Sequence, residues 1–188
     1  RGSSDPRPRT RRTLGVSGIP RPSLQTKLSR YTLIMAALVL VVGWISWYAV
    51  TPPKLPVNDK VATATSVVSK PIYVGMFTVP NDFGRTLRIA GVKTHTTANE
   101  KLEVTPVLCR RGTVGVTTEP GQFCSDMVNP EGARLVGGDS IMLKVVSAKP
   151  AVAIIDRIRI AYREDLRWDT QPAGNKQAIV TIAGRPES

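Results

Sequence analysis

The chain of 188 residues has one histidine, His95, and only two cysteines, Cys109 and Cys124. This shortage excludes an ordinary zinc site, which needs four ligands at characteristic spacing. It also leaves a nucleophilic cysteine without a base in any recognisable motif. The chain lacks a D-x-D-x-D calcium loop, a glycine-rich phosphate loop before a helix, and the G-x-S-x-G and S-x-x-K motifs. We therefore predict no catalytic, metal-binding or cofactor-binding residues and a protein that is not an enzyme.

Charge is absent from one long stretch, residues 31–50. As a helix rising about 1.5 Å per residue, this stretch spans roughly 30 Å, the thickness of the hydrocarbon core of a bilayer. Tyr31 at one end and Trp44, Trp47 and Tyr48 at the other have rings that suit the headgroup level. The last three also share one helix face, a candidate contact surface for another membrane helix. We predict a single transmembrane helix with these four membrane-interface residues.

Residues 1–30 are rich in Arg, Pro and Ser and carry eight basic residues against one acidic residue. Because Lys and Arg resist translocation, we expect a cytoplasmic N-terminus and an extracytoplasmic C-terminal part in the cell membrane. We predict that this tail is disordered. Two interpretations stay open: the tail only sets the topology, or it also contacts anionic lipids or an acidic partner.

A cleaved secretory signal is the alternative to a signal-anchor. The apolar run is longer than the roughly 7–15 apolar residues of a signal peptide. In addition, Pro52 would follow directly after a cleavage site that ends at Thr51. We therefore favour an uncleaved anchor, followed by a stiff proline-rich stalk at residues 51–56.

Residues 57–188 change to a period of two, with β-branched runs separated by Gly, Pro, Asn and Asp. This pattern predicts about seven or eight short strands and a mainly β domain, an antiparallel β-sandwich of two sheets. The longest predicted strand is residues 152–162, whose apolar residues are expected to face one way, toward the core: Val152, Ile154, Ile158, Ile160 and Tyr162. Arg157, Arg159 and Arg163 of that strand would then face outward.

Four arginines form a candidate interaction stripe: Arg157, Arg159, Arg163 and Arg167. One interpretation is a docking stripe for an anionic envelope polymer, lipid headgroups or an acidic partner. The other is a solvated face, because Asp156, Glu164, Asp165 and Asp169 lie nearby in sequence and nearly balance the charge. Nucleic acid is not an expected partner, since the domain is placed outside the cell and lacks an aromatic stacking platform.

The two cysteines are predicted to form a disulfide, because an exported domain meets an oxidising environment. A bridge between Cys109 and Cys124 closes a short loop. It is too short for the bridge that joins the two sheets of an immunoglobulin domain. We therefore expect it to fasten a loop to its own strand.

The segment Tyr162-Arg-Glu-Asp-Leu-Arg-Trp-Asp-Thr-Gln-Pro-Ala-Gly174, with the preceding turn and strand from Gly137 to Val145, resembles uncharacterised actinobacterial single-pass membrane proteins. That resemblance implies an extracytoplasmic immunoglobulin-like sandwich and brings no activity with it.

The leading hypothesis is a membrane-anchored extracytoplasmic binding or structural module, an accessory subunit that engages another envelope or membrane protein. The alternative is a subunit of an envelope-spanning transport or secretion machine, whose basic tail contacts a cytoplasmic motor. The alternative is less favoured, because the chain lacks the amphipathic helical patterns of the α+β domains that are usual in such subunits.

Overall fold

The computed structural model describes residues 24–184. The tail, residues 1–30, is predicted to be disordered, with contacts to anionic lipids or an acidic partner as one interpretation. Most of the tail lies outside the described residues, and its contacts stay predictions. The described residues divide into two compact units, with the boundary between Trp44 and Ile45.

A single helix, α1 (Leu24–Val50), opens the described chain. The helix begins seven residues before Tyr31, so the prediction of disorder is wrong for residues 24–30. Leucine, glutamine, lysine and arginine are frequent in that segment, and all four favour helix. Within α1, Arg30–Ala49 is long and apolar enough to cross a membrane, and none of it is buried; a signal sequence near the N-terminus has the same properties. The helix ends where Thr51 precedes two prolines.

The rest of the described chain is mainly β, as predicted. It contains thirteen strands in three sheets, whereas seven or eight strands in two sheets were expected. The first sheet has the order β1 (Val61–Val67), β13 (Gln177–Ala183), β10 (Ala151–Asp156) and β4 (Thr96–Ala98). The second has the order β12 (Arg167–Pro172), β11 (Arg159–Glu164), β3 (Leu87–Lys93) and β8 (Arg134–Leu135). The third has the order β6 (Val116–Thr117), β2 (Ile72–Thr78), β9 (Ser140–Val146), β5 (Glu103–Arg110) and β7 (Asp126–Val128).

Neighbouring strands run antiparallel except β1 and β13, which pair in parallel from Val61 opposite Gln177 to Val67 opposite Ala183. The entry of the chain explains this exception. Val57 bridges Gly174 in parallel, and the N–H of Asn58 donates to the Gly174 carbonyl at 3.0 Å. The chain therefore meets the start of β13 already running in the same direction.

The predicted strand 152–162 is wrong as one strand, because β10 and β11 lie in different sheets. Arg157 and Ile158 separate the two strands, just as Thr94 and His95 separate β3 from β4. The chain passes from the second sheet to the first between β3 and β4, and from the first to the second between β10 and β11, so each sheet has its own outward face. Here outward means the side away from the core.

One hydrophobic cluster contains buried side chains from all three sheets. Members that are at most 2% exposed come from each sheet: Ile155, Val180, Ile89, Ile160, Tyr162, Val74 and Leu143. A smaller cluster contains Cys109, Cys124, Val114 and Met142. Strand β9 contributes to both clusters, because its side chains alternate between the two sides of the third sheet. This burial on both sides makes the third sheet the most enclosed of the three.

Candidate interaction surfaces

The stalk, residues 51–56, is fastened to the domain. Leu55 is 4% exposed, and its N–H donates to Gln171 Oε1 at 2.7 Å. The N–H of Gly174 donates to the Pro56 carbonyl at 2.9 Å. The proline-rich stalk therefore lies against the segment that begins with β12 and continues to Gly174.

Arg85 lies between the stalk and the end of β11. Its Nε and Nη2 each donate to the carboxylate of Glu164 at 2.7 Å, and Nη1 donates to the Pro53 carbonyl at 3.4 Å. The hydrogen bonds to Glu164 raise the pKa of Arg85 above its usual value. Two parallel bonds from one guanidinium to one carboxylate fix the geometry as well as the charge. The tip of the β11–β12 hairpin is thereby held to the stalk.

Tyr162 is buried, 1% exposed, beside this ion pair. Its hydroxyl makes no hydrogen bond with the residues that the structure describes. Burial raises the pKa of Tyr162, because the phenolate is poorly solvated there. The guanidinium of Arg85 opposes this rise, although its geometry falls short of a hydrogen bond.

The four arginines of the predicted stripe do not share one surface. Arg157 fastens the chain that enters β1: its Nη2 donates to the Asn58 carbonyl at 2.6 Å and lies 3.4 Å from Asp59 Oδ1. The guanidinium of Arg167 lies over the ring of Tyr48, 3.4 Å from its centroid. Arg159 and Arg163 are exposed on the outward face of the second sheet. The interpretation of a single stripe is therefore wrong for Arg157 and Arg167.

Arg163 belongs instead to a row that crosses the second sheet. It lies opposite Trp168 of β12 and opposite Arg88 of β3, and Arg88 lies opposite Arg134 of β8. We call Arg134, Arg88, Arg163 and Trp168 the arginine row. Like charges that face each other across strands destabilise a sheet. Among residues 24–184, no carboxylate lies within 4.0 Å of the charged groups of these arginines.

A groove of about 290 Å³ adjoins the arginine row. Arg88, Arg163 and Trp168 line it, together with one acidic side chain, Glu131. The guanidinium of Arg163 lies 5.3 Å from the centroid of the Trp168 ring. Sequence reasoning found Arg163 but missed Arg88 and Arg134. Leu87 and Ile89 alternate with Arg88, a pattern that favours an outward arginine, but its neighbours Arg163 and Arg134 depend on pairing between distant strands.

The outward face of the first sheet has the opposite character. Thr63, Ile179, Ile154 and Thr97 lie side by side across its four strands. The next row contains Thr65, Thr181 and Val152. Among the outward-facing residues of these four strands, Asp156 is the one ionisable residue. We call this surface the uncharged face.

Val152 and Ile154 are 49% and 42% exposed, so their predicted place in the core is wrong. The buried residues of β10 are Ala151, Ala153 and Ile155, which have the other parity. The break after Asp156 shifts the parity, and for this reason Ile158 and Ile160 are buried as predicted. Two branched apolar side chains are thereby left on the outside.

The predicted disulfide is confirmed. Cys109 Sγ and Cys124 Sγ are 2.07 Å apart, and the two residues are separated by 15 positions. Cys109 lies in β5, and Cys124 follows a short 3₁₀ helix (Pro120–Gln122). As expected from the spacing, the bridge fastens a loop to its strand.

The predicted membrane-interface residues lie at the two ends of the apolar segment. Tyr31 is 70% exposed, and Trp44, Trp47 and Tyr48 are 67%, 61% and 51% exposed. Their position at a membrane interface stays a prediction. The structure adds the contact of Tyr48 with Arg167, which sequence reasoning missed.

The chain has no match among known proteins in three comparisons, which covered protein-family models, curated proteins and solved structures. The function is therefore argued from the geometry of these surfaces.

Proposed function

We propose that the protein is a single-pass membrane protein whose extracytoplasmic domain, an immunoglobulin-like β-sandwich, is a binding module. In this proposal it is an accessory subunit that engages another envelope or membrane protein. The observation that carries the proposal is the uncharged face, on which Val152 and Ile154 are exposed among threonines. The cores of protein interfaces are depleted of charged residues and enriched in apolar ones. A basic protein with one almost uncharged sheet face therefore has a surface suited to a protein partner.

Three features support the membrane anchor. The segment Arg30–Ala49 is apolar and long enough to cross a membrane, and none of it is buried. The excess of basic residues before it favours a cytoplasmic N-terminus. The Cys109–Cys124 disulfide fits an oxidising compartment for the β domain.

The fastened stalk supports a domain that stays near its anchor. Leu55 is buried and Pro53 accepts a hydrogen bond from Arg85, so residues 51–56 do not act as a free spacer. The domain that carries the uncharged face is thereby joined to the apolar segment by a stalk that is fastened to it. A partner in the same membrane would meet it without a long linker to order.

Co-purification tests the proposal. Tagged full-length chain is extracted from its native membranes in mild detergent, and the proteins that accompany it are identified. Ile154→Lys places a charge in the centre of the uncharged face and should abolish stoichiometric capture of the partner. Val116→Lys is the matched control, because Val116 is 43% exposed on β6 of another sheet.

The control variant should retain the partner, and circular dichroism should show both variants folded. The proposal is wrong if no protein accompanies the native chain in stoichiometric amount, or if Ile154→Lys captures the partner as well as Val116→Lys. Capture of a large assembly with a cytoplasmic motor would instead identify a subunit of a transport or secretion machine.

A further inference from the structure

The hairpin that joins β11 to β12 has an unusual tip. Glu164 pairs with Arg167, and Asp165 and Leu166 form the connection. Leu166 is 79% exposed and Trp168 is 65% exposed, more than any other large apolar side chain described in residues 51–184. Leaving a leucine and a tryptophan in water forgoes the stabilisation that their burial would bring. Their exposure indicates a surface that is covered when the protein is in its working environment.

The position of the tip indicates what covers it. Arg167 lies over Tyr48, one residue before the end of the apolar segment Arg30–Ala49. Arg85 joins Glu164, the last residue before the connection at the tip, to Pro53 of the stalk. Both contacts place the hairpin beside the chain that leaves the apolar segment. In a membrane-anchored protein, this is the level of the lipid headgroups.

The chemistry of the surface matches that environment. Tryptophan is enriched where an apolar region meets water, and arginine can keep its charge in the headgroup layer while its stem lies deeper. The arginine row continues from Trp168 across the sheet through Arg163, Arg88 and Arg134. Its three cations have no carboxylate partner among residues 24–184. Phosphate groups would relieve the repulsion between the neighbouring guanidinium groups.

We propose that the hairpin tip and the arginine row bind the anionic headgroup layer of the leaflet into which the protein's own helix is anchored. Leu166 and Trp168 enter the layer, and Arg163, Arg88 and Arg134 contact lipid phosphates. This inference rests on the proposed membrane anchor. An acidic protein would also satisfy the arginines, but the headgroup layer is always present beside Tyr48 and accommodates both the apolar and the cationic residues.

A single label reports the contact. Both cysteines of the chain are in the disulfide, so Leu166→Cys introduces one reactive thiol. The full chain is labelled with an environment-sensitive fluorophore and placed in nanodiscs of phosphatidylcholine, with or without phosphatidylglycerol. Lipids that carry a quencher near the headgroup should quench this label. Val152→Cys is the control, because Val152 is exposed on the first sheet, where we expect the label to stay in water.

Charge variants test the arginine row. Arg88→Gln with Arg134→Gln should remove the dependence of quenching on phosphatidylglycerol, since each basic residue near an anionic surface strengthens binding roughly fivefold. Lys93→Gln with Arg159→Gln removes the same charge from the other end of the sheet, where these residues pair. This control should keep most of the dependence on phosphatidylglycerol.

The outcomes separate this inference from the proposed function. If the chain does not enter nanodiscs, the membrane anchor itself is wrong, and the inference falls with it. If it enters and the label at position 166 is no better quenched than that at 152, the lipid contact is wrong while the anchor stands. Equal quenching with and without phosphatidylglycerol overturns the assignment to anionic lipid. A label that is shielded only in native membranes, and not in nanodiscs, identifies a protein as the occupant instead.

Discussion

Arg85 and Glu164 are joined by two hydrogen bonds of 2.7 Å, although 79 positions separate them in the chain. Their side chains are 18% and 14% exposed. The pair joins the segment before β3 to the end of β11, and through Pro53 it also holds the stalk. Removal of only one partner of such a partly buried pair destabilises the fold strongly, because the other charge is left without compensation.

Glu164→Gln should therefore destabilise the domain by about 2 kcal/mol, the typical loss for hydrogen bonds to a charged group. Urea unfolding of the full chain in detergent, followed by tryptophan fluorescence, measures the change. Glu100→Gln is the matched control, since its pair with Lys149 is 3.8 Å long and exposed. That variant should lose less than about 1 kcal/mol. Equal losses in the two variants would contradict the role given to the Arg85–Glu164 pair.

Tyr162→Phe should leave stability near neutral pH unchanged or raise it by about 1 kcal/mol, because the buried hydroxyl has no hydrogen-bond partner among the described residues. Its effect should depend on pH. Burial raises the pKa of Tyr162 in the folded state. A group whose pKa is higher in the folded state makes a pH-dependent contribution to the free energy of unfolding. For Tyr162 this contribution is fully present below the usual tyrosine pKa of about 10, and it is lost as the pH rises through the higher pKa of the folded state.

The measurement for Tyr162 is the free energy of unfolding of both proteins across the alkaline range. Tyr162→Phe should lose less stability than the native chain above about pH 10. Other tyrosines and lysines titrate in both proteins, so the difference between the two curves isolates Tyr162. Parallel curves would mean that burial of this hydroxyl does not affect its titration.

Replacement of both cysteines by serine should destabilise the domain by roughly 3 kcal/mol, the loop-entropy value for a bridge that closes about 15 residues. The separation of Cys109 and Cys124 is 15 positions. Thermal unfolding with and without reductant provides an internal control. Reductant should lower the melting temperature of the native chain and leave that of the double variant unchanged. A native chain that is insensitive to reductant after full reduction would show that the bridge adds no stability.

Gly174→Ala should destabilise the domain by on the order of 3 kcal/mol, since it combines backbone strain with a steric clash. Gly174 has φ +73°, and a Cβ at this position would approach the backbone carbonyl of Met76. The same residue also donates a hydrogen bond to Pro56 of the stalk. Gly115→Ala is the control, because a Cβ there meets no atom within 4 Å. Urea unfolding should separate the two variants, and comparable stability would contradict the close approach.

Strand alternation predicted a mainly β domain, since side chains in a strand alternate whatever their partner strand is. It did not predict which strands pair. The pairing and its register decide which side chains become neighbours on a surface. Arg88, Arg134 and Arg163 come from three separate strands and meet only through pairing. No local pattern links them, because the contacts that align strands join residues far apart in sequence.

By itself, the sequence determined the features that depend on local composition or on a count of residues. The apolar segment within α1 follows from an unbroken run without charge, and the disulfide follows from two cysteines with no other partner. The tertiary structure alone decided which side chains face outward on each side of the break between β10 and β11. It turned Val152 and Ile154 out of the core, and it fastened Arg157 and Arg167 to other parts of the chain. The physical reason is that a shift of one residue in parity moves every following side chain to the other face of a strand.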